Sequence, residues 1–128
     1  MLETERVMDI FQDAKALHAD AMEELGRGKL RNAAEKAWGA TLRATDALIL
    51  ARTGVAPEKT PATASALHRL ALEDSRVEGL VGRYHTRADY LHGQCFYLGL
   101  CDPSEDVERR IRETAYYIRD AQQLAETQ

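Results

Sequence analysis

Arg83-Tyr84-His85-Thr86-Arg87-Ala88-Asp89-Tyr90-Leu91-His92-Gly93-Gln94-Cys95-Phe96-Tyr97 holds two of the chain's four histidines and three of its five tyrosines. Around it, Val77, Leu80, Val81, Tyr84, Ala88, Leu91, Cys95 and Leu98 recur every three or four residues, which is the apolar stripe of a helix. At about 100° per residue, His85, Asp89, His92 and Phe96 fall on one flank of that stripe. Arg83, Arg87, Tyr90 and Gln94 fall on the other. Groups able to do chemistry therefore border a seam that other helices must cover.

Those helices are readable on both sides. A stripe of Val7, Ile10, Phe11, Ala14, Leu17, His18, Ala21 and Leu25 predicts a first helix over about 3–25, stopped by Gly26-Arg27-Gly28. The next, over 30–52, is apolar round more than half its circumference and rich in alanine, as suits a central helix, with Trp38 as a core anchor. Gly54 to Pro61 reads as the one long loop. Thr60 as cap and Pro61 in the first turn open a short third helix ending near Glu73. Ser75-Arg76-Val77-Glu78 has the form of a capping box for the fourth helix, which runs to about Leu98, loosened at Gly93 and ended by Gly99. Asp102-Pro103-Ser104-Glu105 starts a fifth, whose buried face is Val107, Ile111, Ala115, Ile118, Ala121 and Ala125. No segment alternates as a strand. The fold expected is all-α, an antiparallel four- to five-helix up-and-down bundle forming a single domain over residues 1–128.

Composition agrees, with 45% hydrophobic and 30% charged residues. A net charge of -4 argues against broad binding to a nucleic-acid backbone but leaves room for a local basic site, since arginines cluster at 83/87 and 109/110/112. The longest apolar run, Ala47 to Ala51, is far too short to span a membrane. The charged N-terminus lacks the apolar core of a signal peptide, so a cytoplasmic protein is expected. Cys95 and Cys101 form no framework or metal pattern and read as reduced thiols, one in the core seam and one near a turn.

Three chemistries fit the central stretch. In the first, His92 moves protons and Arg87 holds a phosphate, which together would cleave RNA without a metal. Five residues on an ideal helix mean about 140° of rotation, so the two converge only where the helix is irregular or where two copies of the segment meet. The bland alternative makes Arg87 a solvated flank charge and His92 a hydrogen-bonded boundary residue. In the second, His85, Asp89 and His92 share a stripe and hold iron, manganese or zinc, with His18, Glu35 and His68 as candidate ligands from facing helices. The bland reading of His18 and His68 is packing or surface. In the third, Tyr84, Tyr90, Phe96 and Tyr97 form an interaction or stacking surface, joined by one of Tyr116 and Tyr117.

Glu35-Lys36-Ala37-Trp38-Gly39-Ala40, followed by Ala88 through Leu91-His92-Gly93 and then Phe96-Tyr97, resembles the archaeal PaREP-type branch of the HEPN superfamily. The resemblance covers nearly the whole chain. It implies a small helical bundle, a homodimer, and metal-independent endoribonuclease chemistry of toxin–antitoxin or defence type that needs no cofactor. The catalytic pair would be Arg87 and His92, an arginine and histidine with four residues between them, lying across a dimer cleft. The position after the arginine is usually polar in active members; here it is Ala88, and Asp89 one place later is the substitute. Arg83, His85 and Tyr90 would then contact RNA. The resemblance equally implies a non-catalytic module that binds RNA or partners a minimal nucleotidyltransferase.

Overall fold

The computed structural model describes residues 2–127, with side chains from Thr4 onward. Every regular element among them is helical: α1 (Leu2–Gly26), α2 (Leu30–Thr53), α3 (Thr60–Glu73), α4 (Glu78–Arg87) continued by a π-helical segment (Ala88–Tyr97), α5 (Ser104–Arg112) and α6 (Thr114–Glu126). Counting the α4–π and α5–α6 runs as one rod each gives five helices. None is long and apolar enough to cross a membrane.

The first two helices form a hairpin. Gly28 adopts φ 74°, which lets the Lys29 N–H reach back to the Glu24 carbonyl at 3.0 Å, a Schellman-type stop that favours glycine. α2 lies at the centre and touches every other helix. Its Ala33, Ala37, Ala40, Ala44 and Ala47 are fully buried, and their small side chains let neighbouring backbones approach on several sides. Trp38 is buried edge-on against Tyr84, with ring centroids 5.2 Å apart. Thr63 holds α3 on α2 by donating to the buried Asp46 carboxylate at 2.6 Å.

Several ends differ from expectation. Lys59, not Thr60, precedes α3, and no side chain caps it, although Pro61 sits in the first turn as predicted. The capping box at Ser75 and Glu78 does not form, and Val77 occupies the cap position without a side-chain bond. Asp74 governs that turn instead, accepting the Arg76 N–H at 3.0 Å and the guanidinium groups of Arg52 and Arg76. These bonds hold the Asp74 carboxyl well below the usual carboxylate range, chiefly through Arg76.

The fourth helix is not α-helical to Leu98. From Ala88 it widens into π turns, as in the Leu98 N–H bond to the Gly93 carbonyl at 3.3 Å. An i→i+5 turn takes in an extra residue, so the 100° spacing fails beyond Arg87. Nor are the thiols reduced: Cys95 and Cys101 form a disulfide. Gly99, at φ 72°, turns the chain back on itself and brings the two Cα atoms to 4.4 Å, a proximity that residue counting could not show.

The fifth helix is interrupted at Glu113 between α5 and α6. Thr114 sits there, fully buried, with its hydroxyl bonded to the Arg110 carbonyl at 3.2 Å. Such back-bonding bends helices. The same carbonyl also accepts a bond from the Arg87 guanidinium at 2.9 Å.

Candidate functional site

Arg87 closes α4 and points into the bundle, only 6% exposed. Its Nε donates to Thr41 Oγ1 at 2.9 Å, and Nη2 donates to the Arg110 carbonyl and to Thr114 Oγ1. It is therefore not a solvated flank charge. Spacing along one helix hid this, because the acceptors come from α2 and from the α5–α6 joint. No carboxylate pairs with it among the described residues; burial lowers its pKa to about 10, so it remains a cation at neutral pH. The Nη1 donors have no partner among the described residues and are not sealed from solvent.

Arg87 forms part of the floor of a cleft of ≈ 630 Å³ lined by Glu78, Gly79, Gly82, Arg83, Thr86, Arg110, Glu113 and Tyr116. Arg83 is paired with Asp120 at 2.8 Å and Arg110 with Asp106 at 3.2 Å. Arg87 is thus the arginine of this cleft without an ion-pair partner among the described residues, and Glu113 on the same cleft acts on its charge only at longer range. Tyr90, half-exposed, lies under the Arg110 guanidinium at 4.7 Å from the ring centre.

His92 stands on the π-helical segment in different company. Its Nδ1 is 2.7 Å from Glu35 Oε1 of α2. A carboxylate can only accept, so Nδ1 carries the proton and the other ring nitrogen is left to act as a base. The ring lies near Trp38 at 6.2 Å and stacks on Phe96 at 6.2 Å. Its side chain is 42% exposed. A carboxylate-oriented imidazole at a water boundary is a general acid–base arrangement. Within one chain, Arg87 meets α2 at Thr41 and His92 meets it at Glu35 and Trp38; His92 is not among the residues of the arginine cleft.

The other candidates disperse. Asp89 is exposed and accepts from Gln94 at 3.1 Å, five residues on, in the π register. His85 lies in the regular part of α4 and meets His68 of α3 at 2.7 Å. His85, Asp89 and His92 therefore each have a separate partner, and no cluster of three His, Cys, Asp or Glu able to hold a metal exists among the described residues. Tyr84 is core rather than surface, and burial raises its hydroxyl to about 12. Tyr117 is also buried and bonds Thr45 at 2.7 Å, whereas Tyr97 and Tyr116 are exposed. His18 is a boundary residue with a buried, unpartnered Nε2; burial, then the Arg87 charge, lowers its pKa.

Thr41 and Thr114 escaped sequence reasoning, since a threonine among alanines reads as part of an apolar face. Glu35 reads from sequence as a candidate metal ligand and as part of the phrase that carries the family resemblance, and its role as the partner of His92 needed the packing of two helices.

The family model of the archaeal PaREP1/PaREP8 family matches residues 9–115, and the chain belongs to that family. The matched span contains Glu35, Arg87 and His92 together with the whole arginine cleft except Tyr116. No curated protein and no solved structure matches the chain.

Proposed function

We propose that this protein is a HEPN-like up-and-down bundle that binds RNA and cleaves it without a metal, acting as a dimer. The observation that carries this reading is the 2.7 Å contact between His92 and Glu35. It fixes one ring nitrogen and leaves the other to take the proton of a 2′-hydroxyl as that oxygen attacks the adjacent phosphorus. The bond from phosphorus to the 5′ oxygen breaks and that oxygen takes a proton from water, leaving a cyclic phosphate and a 5′-hydroxyl, while the His92 imidazolium returns its proton to solvent. Arg87 supports the phosphate role through its Nη1 donors and a charge held in no ion pair among the described residues. Because His92 lies outside the Arg87 cleft in one chain, the proposal places the two groups on opposite sides of a two-fold interface. The exposed Tyr97, Leu98 and Leu100, at the end of the His92 segment and just past it, supply an apolar surface for a second copy.

The test is cleavage of RNA in EDTA. His92→Ala should abolish it with an unchanged melting temperature, and Glu35→Gln should lower the rate while preserving RNA affinity. Undiminished cleavage by His92→Ala removes that residue from the mechanism.

A second reading is favoured by the three Arg87 donors spent inside the core. On it, Arg87 is structural and the bundle is a non-catalytic module that partners a nucleotidyltransferase-like chain. RNA binding with no turnover by the wild-type protein, and co-purification with such a chain, would establish it.

A further inference from the structure

α3 and α4 meet at two imidazoles that the RNA reading does not use. The Nε2 atoms of His68 and His85 lie 2.7 Å apart, with ring centroids 4.9 Å apart. At that distance two neutral rings share one proton, one nitrogen donating and the other accepting. Both residues are exposed, so burial does not force them together. His68 borders a hollow of ≈ 300 Å³ with Ala71, Leu72, Glu78 and Val81. When the donating ring takes its proton on Nδ1 instead, both Nε2 atoms present a lone pair to the gap between them.

We infer that His68 and His85 form a two-imidazole site for a divalent transition ion of the copper, nickel or zinc type, clipping α3 to α4. Metal–nitrogen bonds of about 2.0–2.1 Å separate two ligand nitrogens by roughly 3 Å, so the pair needs to open by only a few tenths of an ångström. Imidazole suits these ions over calcium or magnesium. Glu78 lines the hollow beside His68, and water completes the coordination. The site is distinct from the trio of His85, Asp89 and His92, since its second ligand comes from another helix.

Isothermal titration of the EDTA-stripped full chain with copper(II), nickel(II) and zinc(II) tests this. One ion per chain is expected, bound most tightly for copper, with a higher melting temperature when loaded. His68→Ala and His85→Ala should each weaken binding at least tenfold and cancel the thermal shift. His68→Gln retains a polar partner for His85 but no imidazole, so it separates ligand loss from fold loss and should behave like His68→Ala. The copper electron paramagnetic resonance spectrum should show two imidazole nitrogens, falling to one in each single variant. Binding within twofold of wild type in both alanine variants, or no binding at millimolar ion, overturns the assignment.

Discussion

Arg87 shows how far one side chain can depart from what its neighbours in sequence suggest. Its flank position is real, but the flank faces Thr41 and Thr114 rather than water. Nothing local encodes this, because both acceptors lie on other helices. Replacing it with methionine keeps much of the stem and deletes three donors. The threonine hydroxyls retain their own i−4 carbonyl partners, and a buried cation's desolvation cost is relieved, so the net loss should be about 2 kcal/mol, not the larger figure for breaking a buried ion pair. Urea denaturation of Arg87→Met measures it; an unchanged midpoint would mean the guanidinium serves only a ligand. Asp46 makes a second residue-level prediction. Burial raises its carboxyl above the ordinary carboxylate range, with Thr63 and Arg43 opposing in smaller measure. The folded chain therefore keeps this proton at a pH where the unfolded chain has lost it, so the contribution to stability is present at low pH and falls as pH rises. Asp46→Asn retains an acceptor for Thr63 and lacks that titration. Between about pH 4 and 7, wild type should lose stability relative to the variant, as read from paired urea midpoints.

Elements were legible where the chain carries its own punctuation. Gly28 and Gly54 take the positive φ that ends α1 and α2, and the predicted limits of both helices lie within a residue or so of those observed. The rod holding the candidate site was legible only as far as Arg87. Its π-helical half is fixed from a distance: Arg31 of α2 donates to the Phe96 carbonyl at 2.6 Å and also bonds the Tyr97 carbonyl, while the disulfide ties Cys95 to the following loop. Side-chain periodicity reports which face is apolar, not which carbonyl each N–H selects, and both registers bury Leu91 and Cys95. The joint at Glu113 was hidden for the same reason, being set by Thr114 and by a guanidinium from another helix. Cys101→Ser should lower stability by about 2 kcal/mol, the chain-entropy value for so short a loop, with the loss concentrated in this segment. Thermal melts with and without reductant, and amide exchange over residues 93–100, check it. A wild-type protein indifferent to reductant and matching the serine variant would show that the thiols are unpaired.

On the scale of the whole molecule, every helix packs on α2, and that arrangement separates the two groups the ribonuclease reading needs. Glu35 and Trp38 hold His92 toward one part of α2, while Thr41 holds Arg87 farther along it, at the arginine cleft. A net charge of -4 gives the chain no general pull on RNA, so a phosphate would have to be caught locally, where Arg87 has no ion-pair partner among the described residues. A dimer that joins the arginine of one copy to the histidine of the other makes a prediction that a site within one chain does not. Mix Arg87→Gln, whose fold is first verified by its melting curve, with His92→Ala, and let the subunits exchange. In a mixed dimer one of the two sites inherits both lesions and the other inherits neither. Random exchange makes about half the dimers mixed, each with one intact site of two, so about a quarter of wild-type RNA cleavage should return from two inactive parents. A site built within one chain places a lesion in every copy, and the mixture would stay as inactive as its components. Sedimentation of the same mixture checks that exchange took place, so that silence can be assigned to the chemistry and not to failed assembly.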